Sequence, residues 1–416
     1  MKKFLSGYTK KEWAWILQDW ANSVYSLMIT AAIFPIFYKA VTDSVGMAPA
    51  TSTAYLGYAN SLSTIVVAVM SPFLGTSADY KGVRGPLFTF GTLLGVGSVL
   101  AMIFAGPNAW FYLLVVYTLS AIGFSLSNVF YDSSIMDVTT EQRLDMVSSA
   151  GYAYGYIGSV FAFLIFFALQ VSGWLSSRDL VNVGFLITAI WWFVFTVPYW
   201  RHVKQVSYIE HHDGLVKSTL RSLKETVGEL KHYPTILWFL VGYFLYIDGV
   251  GTIIKMATSV GSDLGLPANQ LIIILLVVQV VAFPSSLAYG ALAKRFGSRA
   301  LLFFGIGTYV VICVFALRLS GFRDFLILAI LVGTAQGGIQ ALSRSYFGQL
   351  IPKQKTNQFF GFYNIFGKFS SVLGTTILAL VAQMTGDSLK GLFAIIIQFL
   401  LGAYCLYRAK PRTNSV

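Results

Sequence analysis

Residues Gly75–Arg84 read Gly75-Thr76-Ser77-Ala78-Asp79-Tyr80-Lys81-Gly82-Val83-Arg84 and lie between two long apolar runs. The chain writes this stretch a second time: Gly290–Arg299 reads GALAKRFGSR. Without gaps, Gly75 matches Gly290, Ala78 matches Ala293, Gly82 matches Gly297 and Arg84 matches Arg299. The offset is 215 positions, about half of the 416 residues. Glycines allow a sharp turn between helices, and basic residues hold such a turn on the cytosolic side of a membrane. One position is not kept: Lys294 stands where the first copy has Asp79. Tyr131 and Tyr346 repeat at the same offset, and Gly158 and Gly374 nearly so, so the duplication extends beyond the loops.

The surroundings of these loops are those of a polytopic membrane protein. Mean hydropathy is +0.69, with 56% hydrophobic and only 11% charged residues; soluble domains carry about a quarter charged. Apolar runs of the length that spans a bilayer fall at 13–40, 52–76, 86–106, 109–135, 147–172 and 180–199. Six more follow at 234–258, 268–290, 299–318, 324–347, 358–383 and 388–408. The expected fold is therefore all-α, with twelve transmembrane helices in two pseudo-symmetric six-helix bundles. Residues 1–199 make the N-terminal bundle, 200–233 a cytosolic tether and 234–416 the C-terminal bundle. With both termini inside, 21 of the 29 Lys and Arg residues fall on the cytosolic side, six outside and two (Arg344 and Lys368) within spans. This asymmetry sets the orientation and makes the net charge of +12 topological rather than a nucleic-acid patch. The polar start Met1–Glu12, followed by a run long enough to remain in the membrane, predicts no cleaved leader. Short loops without an Asn-x-Ser/Thr site suit a bacterial plasma membrane.

The tether holds all four histidines, His202, His211, His212 and His232. Neighbouring ligands are sparse, so no metal site is expected there. Leu215, Leu220, Leu223, Val227 and Leu230 instead approximate an amphipathic stripe along the membrane surface. Cys313 and Cys405 lie inside apolar runs, which argues against a disulfide framework and a thiolate metal site.

The loop GxxADxxGxR between the second and third spans resembles the signature loop of the major facilitator superfamily, carried here by Gly75, Asp79, Gly82 and Arg84. The fold so implied has parallel halves with a substrate site near the midplane between them. Lys294 puts in doubt any gating role of that carboxylate in the second half. Four further stretches are similar to the vacuole-effluxer family: Trp15–Tyr25 (WILQDWANSVY), Met146–Gly158 (MVSSAGYAYGYIG), Tyr243–Ile253 (YFLYIDGVGTI) and Gly337–Gly374. The resemblance implies export of amino acids, the activity of the fungal members from the vacuole. Gln358 stands before FFG where relatives usually carry Glu, so a coupling or gating role of that carboxylate cannot exist here.

Polar residues inside spans are costly and therefore point inward and to function. Asp19, Asn22, Ser23 and Ser26 share a face of the first span, with Gln18 and Tyr25 nearby. Asp248 lies in the glycine-flanked IDGVG of the seventh span, and Lys255 lies two turns on. Gln336, Gln340 and Arg344 follow one another at four-residue spacing on the tenth. Asp19, Asn22, Tyr25, Asp248, Gln336 and Gln340 are the expected substrate or proton site. An inner gate is expected from Asp132, together with Asp19, pairing with Arg344 and Lys368 when the cytosolic side closes, as the superfamily resemblance implies. Ordinary interhelical packing is the alternative at each position. Trp13, Trp15, Trp110, Trp174 and Trp200 fall near span ends and read mostly as an interfacial belt.

No P-loop, GxSxG, HExxH or CxxC occurs, so neither an enzyme nor a cofactor is expected, and energy must come from a gradient. The expected function is a monomeric secondary transporter exporting amino acids or similar small metabolites, with protons as a candidate coupling ion. The alternatives are a transporter or flippase of lipid-like or drug-like molecules, and a non-transporting membrane receptor.

Overall fold

The computed structural model describes residues 7–210, 215–229, 233–263, 266–319, 321–369, 373–385 and 390–409. Among them, eleven helices are long and apolar enough to cross a membrane. The first six are Lys10–Ser44, Ala54–Ala78, Arg84–Phe104, Trp110–Val138, Glu141–Ser172 and Ser177–His202. The next five are Pro234–Ile254, Ile273–Phe296, Ser298–Ala316, Phe322–Leu350 and Gly391–Arg408. The remaining apolar run carries two described helices, Thr356–Phe369 and Leu373–Thr385. Within the described residues, each of the twelve runs carries helix and none carries a strand, apart from one isolated bridge between Tyr80 and Ile209.

Local chemistry sets the helix ends. Thr9 Oγ1 accepts the Glu12 amide at 3.2 Å, while Glu12 Oε2 accepts the Thr9 amide at 2.7 Å, a reciprocal capping box at the start of the first span. The other Glu12 oxygen takes the Thr139 hydroxyl at 2.6 Å, which ties this helix start to the end of the fourth span. Midway along the first span, Tyr25–Ile33 winds as a π-helix, a form that recurs at functional sites. Gly82 and Gly297, mates in the duplicated loop, both adopt positive φ, 76° and 80°. An L side chain would be strained there.

The chain divides into two compact units. Unit 1 comprises Met1–Thr139, Tyr154–Thr219 and Gln354–Gly361; unit 2 comprises Thr140–Ala153, Leu220–Lys353 and Phe362–Val416. Each therefore includes a short segment from the other half of the sequence: the start of the eleventh apolar run in unit 1, the start of the fifth span in unit 2. In unit 1 the third and fourth spans meet where Gly91 and Gly95 face Gly123, with no room for a Cβ. Unit 2 packs its seventh span against Gly391–Arg408 and its eighth against its tenth.

Trp15 is not an interfacial residue as its position suggested. It is fully buried, stacks on Tyr131 at 4.5 Å and donates its indole N–H to the Tyr131 carbonyl at 3.1 Å. Trp174, 85% exposed, fits the belt expectation.

Candidate functional site

In unit 1 the signature loop grips the helix Thr356–Phe369. A Cβ on Gly75 would lie 2.6 Å from the Asn357 carbonyl oxygen, so only glycine lets the two backbones touch. Next to it, Asp79 Oδ1 accepts the Asn357 amide at 2.8 Å and the Asn357 side-chain N–H at 2.9 Å. Oδ2 accepts the Gln358 amide at 3.0 Å. These are first-turn amides of the helix, which no intrahelical carbonyl can satisfy, and the positive end of its dipole favours an anion there. Asn357 is further fixed from the fourth span by the Ser133 hydroxyl, which donates to Oδ1 at 2.5 Å. Asp79 is only 2% exposed. Burial pushes its carboxyl up to about 7, against the opposing pull of the Asn357 side chain and amide, the Gln358 amide and, last, the Arg84 guanidinium.

The rest of the loop is anchored within the same unit. Arg84 Nη1 meets Asp137 Oδ2 at 2.6 Å, with side-chain exposures of 4% and 2%. Asp137 also accepts the amides of Val206 and Ser207 at 3.1 and 2.9 Å. Gln205 donates to the carbonyls of Ala78 and Tyr80 and accepts the Gly82 amide. The segment after the sixth span is thus woven onto the loop, and an exposed pair, Lys81 with Glu210 at 2.9 Å, closes it.

Unit 2 keeps the backbone fit and changes the charges. A Cβ on Gly290 would lie 2.6 Å from Ser149 Cβ and 3.1 Å from the Asp145 carbonyl, so the second loop glycine also seats a helix start. Lys294, in the place of Asp79, is exposed. The carboxylate comes instead from the helix itself. Asp145 Oδ2 accepts the Ser298 hydroxyl at 2.7 Å, and Oδ1 accepts the Ser345 hydroxyl. Arg299, the mate of Arg84, donates to the Tyr407 carbonyl at 2.6 Å and, more weakly, to Leu406. It therefore finds a helix C-terminus where Arg84 finds an acid. Buried beside this, Arg344 donates to the Ser148 hydroxyl and carbonyl, both at 3.0 Å, and lies 4.3 Å from the Tyr152 ring centre.

Of the residues expected to meet substrate or protons, those of the first span gather in unit 1. Asp19 is buried, Asn22 donates to Asn128 Oδ1 at 2.6 Å, and the Tyr25 hydroxyl pairs with Ser120 at 2.8 Å. Tyr25 also stacks on Phe124 at 4.6 Å. In unit 2, Asp248 and Gln336 are buried and Gln340 is half-buried. Gln336 Oε1 meets no protein donor. Of the expected gate, Asp132 is half-buried in unit 1 and Arg344 lies in unit 2. The side chains of Lys368 and Lys255, and His211, His212 and His232, fall outside the described residues. Sequence reasoning passed over Asp137, Asp145, Asn357 and Ser133. Asp137 and Asp145 look like ordinary acids at helix ends, and only their distant partners single them out.

A bundle of apolar helices whose GxxADxxGxR loop, repeated with Lys in place of Asp, seats helix starts is the arrangement of a major facilitator superfamily transporter, not of an enzyme. Comparison with known proteins bears this out. The family model described as "Vacuole effluxer Atg22 like" matches residues 8–138 and 136–412, and the chain belongs to that family. It is 47% identical to the MFS-type transporter YxiO of Bacillus subtilis (strain 168), over 100% of this chain and 97% of that protein. Autophagy-related protein 22-1 of Aspergillus fumigatus is 26% identical over 280 residues, which are 60% of this chain and 46% of the fungal protein. Two solved structures share the fold alone. One is a bacterial homologue of the iron transporter ferroportin in an outward-facing state (TM-score 0.70, 13% identity, 96% and 99% of the two chains). The other is the human organic anion transporter MFSD10 (0.71, 12%, 95% and 98%).

Proposed function

We propose that this transporter works by alternating access as a secondary exporter of amino acids or similarly small metabolites. It would sit in a bacterial plasma membrane with both termini cytosolic. The observation that carries the reading is the Asp79 clasp: one buried carboxylate takes three N–H donors from the first turn of Thr356–Phe369. The bond set is saturated while formed and leaves a costly buried acid when stretched. Such an element has two distinct states rather than a continuum, which alternating access requires. The charges expected as an inner gate, Asp132 with Arg344 and Lys368, would add to it. Inside the bundle, Asp19, Asn22 and Tyr25 would receive an ammonium group, and the amides of Gln336 and Gln340 a carboxylate. Asp248 would be a second carboxylate, beside Asp19, for the ammonium group or a coupling proton. The family likeness and the exporting activity that it implies support the substrate class.

Counterflow in proteoliposomes tests this. Labelled amino acids should exchange against unlabelled ones in protein-containing vesicles only, and Asp79→Ala should abolish the exchange. Exchange of lysolipids in place of amino acids would move the function to amphipathic cargo, and exchange of neither would remove the transport reading for both classes.

A further inference from the structure

Three buried polar side chains of unit 2 gather around Asp248, one of the expected coupling acids. Asp248, Thr252 and Gln398 are 0%, 0% and 4% exposed. The first two lie one turn apart on the seventh span, facing the last helix, Gly391–Arg408. All the protein's donors converge on a single carboxylate oxygen. Asp248 Oδ2 accepts the Gly374 amide at 2.7 Å and a side-chain N–H of Gln398. Gln398 Nε2 also donates to the Leu245 carbonyl at 3.0 Å, so two acceptors fix the orientation of this amide. Among the described residues, neither the Gln398 side-chain oxygen, nor Asp248 Oδ1, nor the Thr252 hydroxyl finds a partner. Gly374 binds the group together: a Cβ there would collide with the Thr252 hydroxyl and stand 2.7 Å from Asp248 Oδ2.

Leaving one buried polar atom without a partner costs about 1–3 kcal/mol, and an unpaired buried carboxylate costs more. Among the described residues no Lys, Arg or His lies in ion-pair range of Asp248. The spare atoms are a carboxylate, a hydroxyl and an amide oxygen, the donor set of a hard cation. Together they carry one negative charge, which matches a monovalent ion. Among the described residues no three His, Cys, Asp or Glu side chains gather as a transition-metal site would need.

We propose that Asp248 Oδ1, Thr252 Oγ1 and Gln398 Oε1 form a sodium site in the second half of the transporter. Sodium neutralises the carboxylate and fills all three orphan oxygens at once. The site would give the proposed exporter a coupling ion. That consequence rests on the transport reading, whereas the binding itself does not.

The test needs no substrate. Full-length protein in detergent is titrated with radioactive sodium at constant ionic strength, with choline as the replacement ion, and its melting temperature is followed in parallel. Wild type should bind one sodium per chain and melt higher in sodium than in choline. Thr252→Val, which keeps the side-chain shape, should weaken binding about tenfold or more, and Thr252→Ser should restore it. Asp248→Asn should abolish it. Absence of saturable sodium binding to wild type overturns the proposal, as does undiminished binding by Thr252→Val. Should Asp248→Asn fail to fold, the two threonine variants and the wild type still decide the matter.

Discussion

The two copies of the signature loop solve one packing problem with different electrostatics. Gly75 and Gly290 each press against the start of a helix so closely that a Cβ would lie 2.6 Å from a neighbouring atom. Gly82 and Gly297 turn the chain with the same positive φ. Around that shared scaffold the charges have moved. In the first copy the loop supplies the acid, Asp79, and the helix supplies amides. In the second the helix supplies the acid, Asp145, and hydroxyls of Ser298 and Ser345 answer it. Arg84 has a buried carboxylate, whereas Arg299 has helix-end carbonyls and the rings of Phe303 and Tyr407. Backbone geometry thus tolerates no exchange, while charge can migrate to any group within reach. In the first copy the loop's acid is answered by amides, and in the second the helix's acid is answered by hydroxyls.

The largest difference between the copies should lie in the arginines. Asp137→Ala strands Arg84 among buried groups and should cost about 3–5 kcal/mol. Arg299→Ala removes one good bond, to the exposed Tyr407 carbonyl, and two long ones, and should cost about 1 kcal/mol. Unfolding of the purified variants in detergent measures both, and equal losses would erase the contrast. The glycines should behave more alike. Gly75→Ala and Gly290→Ala each overpack a tight contact, at about 1–3 kcal/mol. Gly75 should be the worse, because its obstacle is a backbone carbonyl that cannot rotate away.

Acidity sharpens the comparison further. The Asp79 carboxyl is pushed above its ordinary value to about 7 while the clasp is closed. Burial in the folded state therefore makes this acid hold its proton more tightly than in the unfolded chain, although the clasp bonds themselves pull the other way. Its contribution is full below the ordinary carboxylate range, wanes as pH rises, and is gone above about pH 7. The stability of wild type relative to Asp79→Asn should fall across that window, and a flat difference would show that Asp79 titrates as an exposed acid. The smallest effect belongs to Lys81→Ala. Its pair with Glu210 is 57% exposed on both sides, so no change in melting temperature should be detectable.

Much of this was legible in the sequence because it is local or periodic. Apolar runs mark the spans, and the repeated glycines and arginines mark the two loops before any contact is known. The partners were not legible. Asp79 takes up amides 278 and 279 positions away, and Arg84 an acid 53 positions away. No spacing rule reaches so far. Trp15 shows the complementary failure: its distance from the span end suggested an interfacial residue, yet packing on Tyr131 buries it completely. Asp248 was recognisable as an embedded acid, whereas Thr252 and Gln398 gain interest only from what their oxygens lack.

The central claim is that the first-copy clasp opens and closes during transport, and a reversible lock tests it directly. Ser133 and Asn357 touch through their side chains beside Asp79. Cysteines at both positions, with Cys313 and Cys405 replaced by alanine, should form a disulfide on mild oxidation. Amino-acid counterflow should then stop, and should return when a reductant breaks the bond. Undiminished counterflow with the disulfide fully formed would contradict the account.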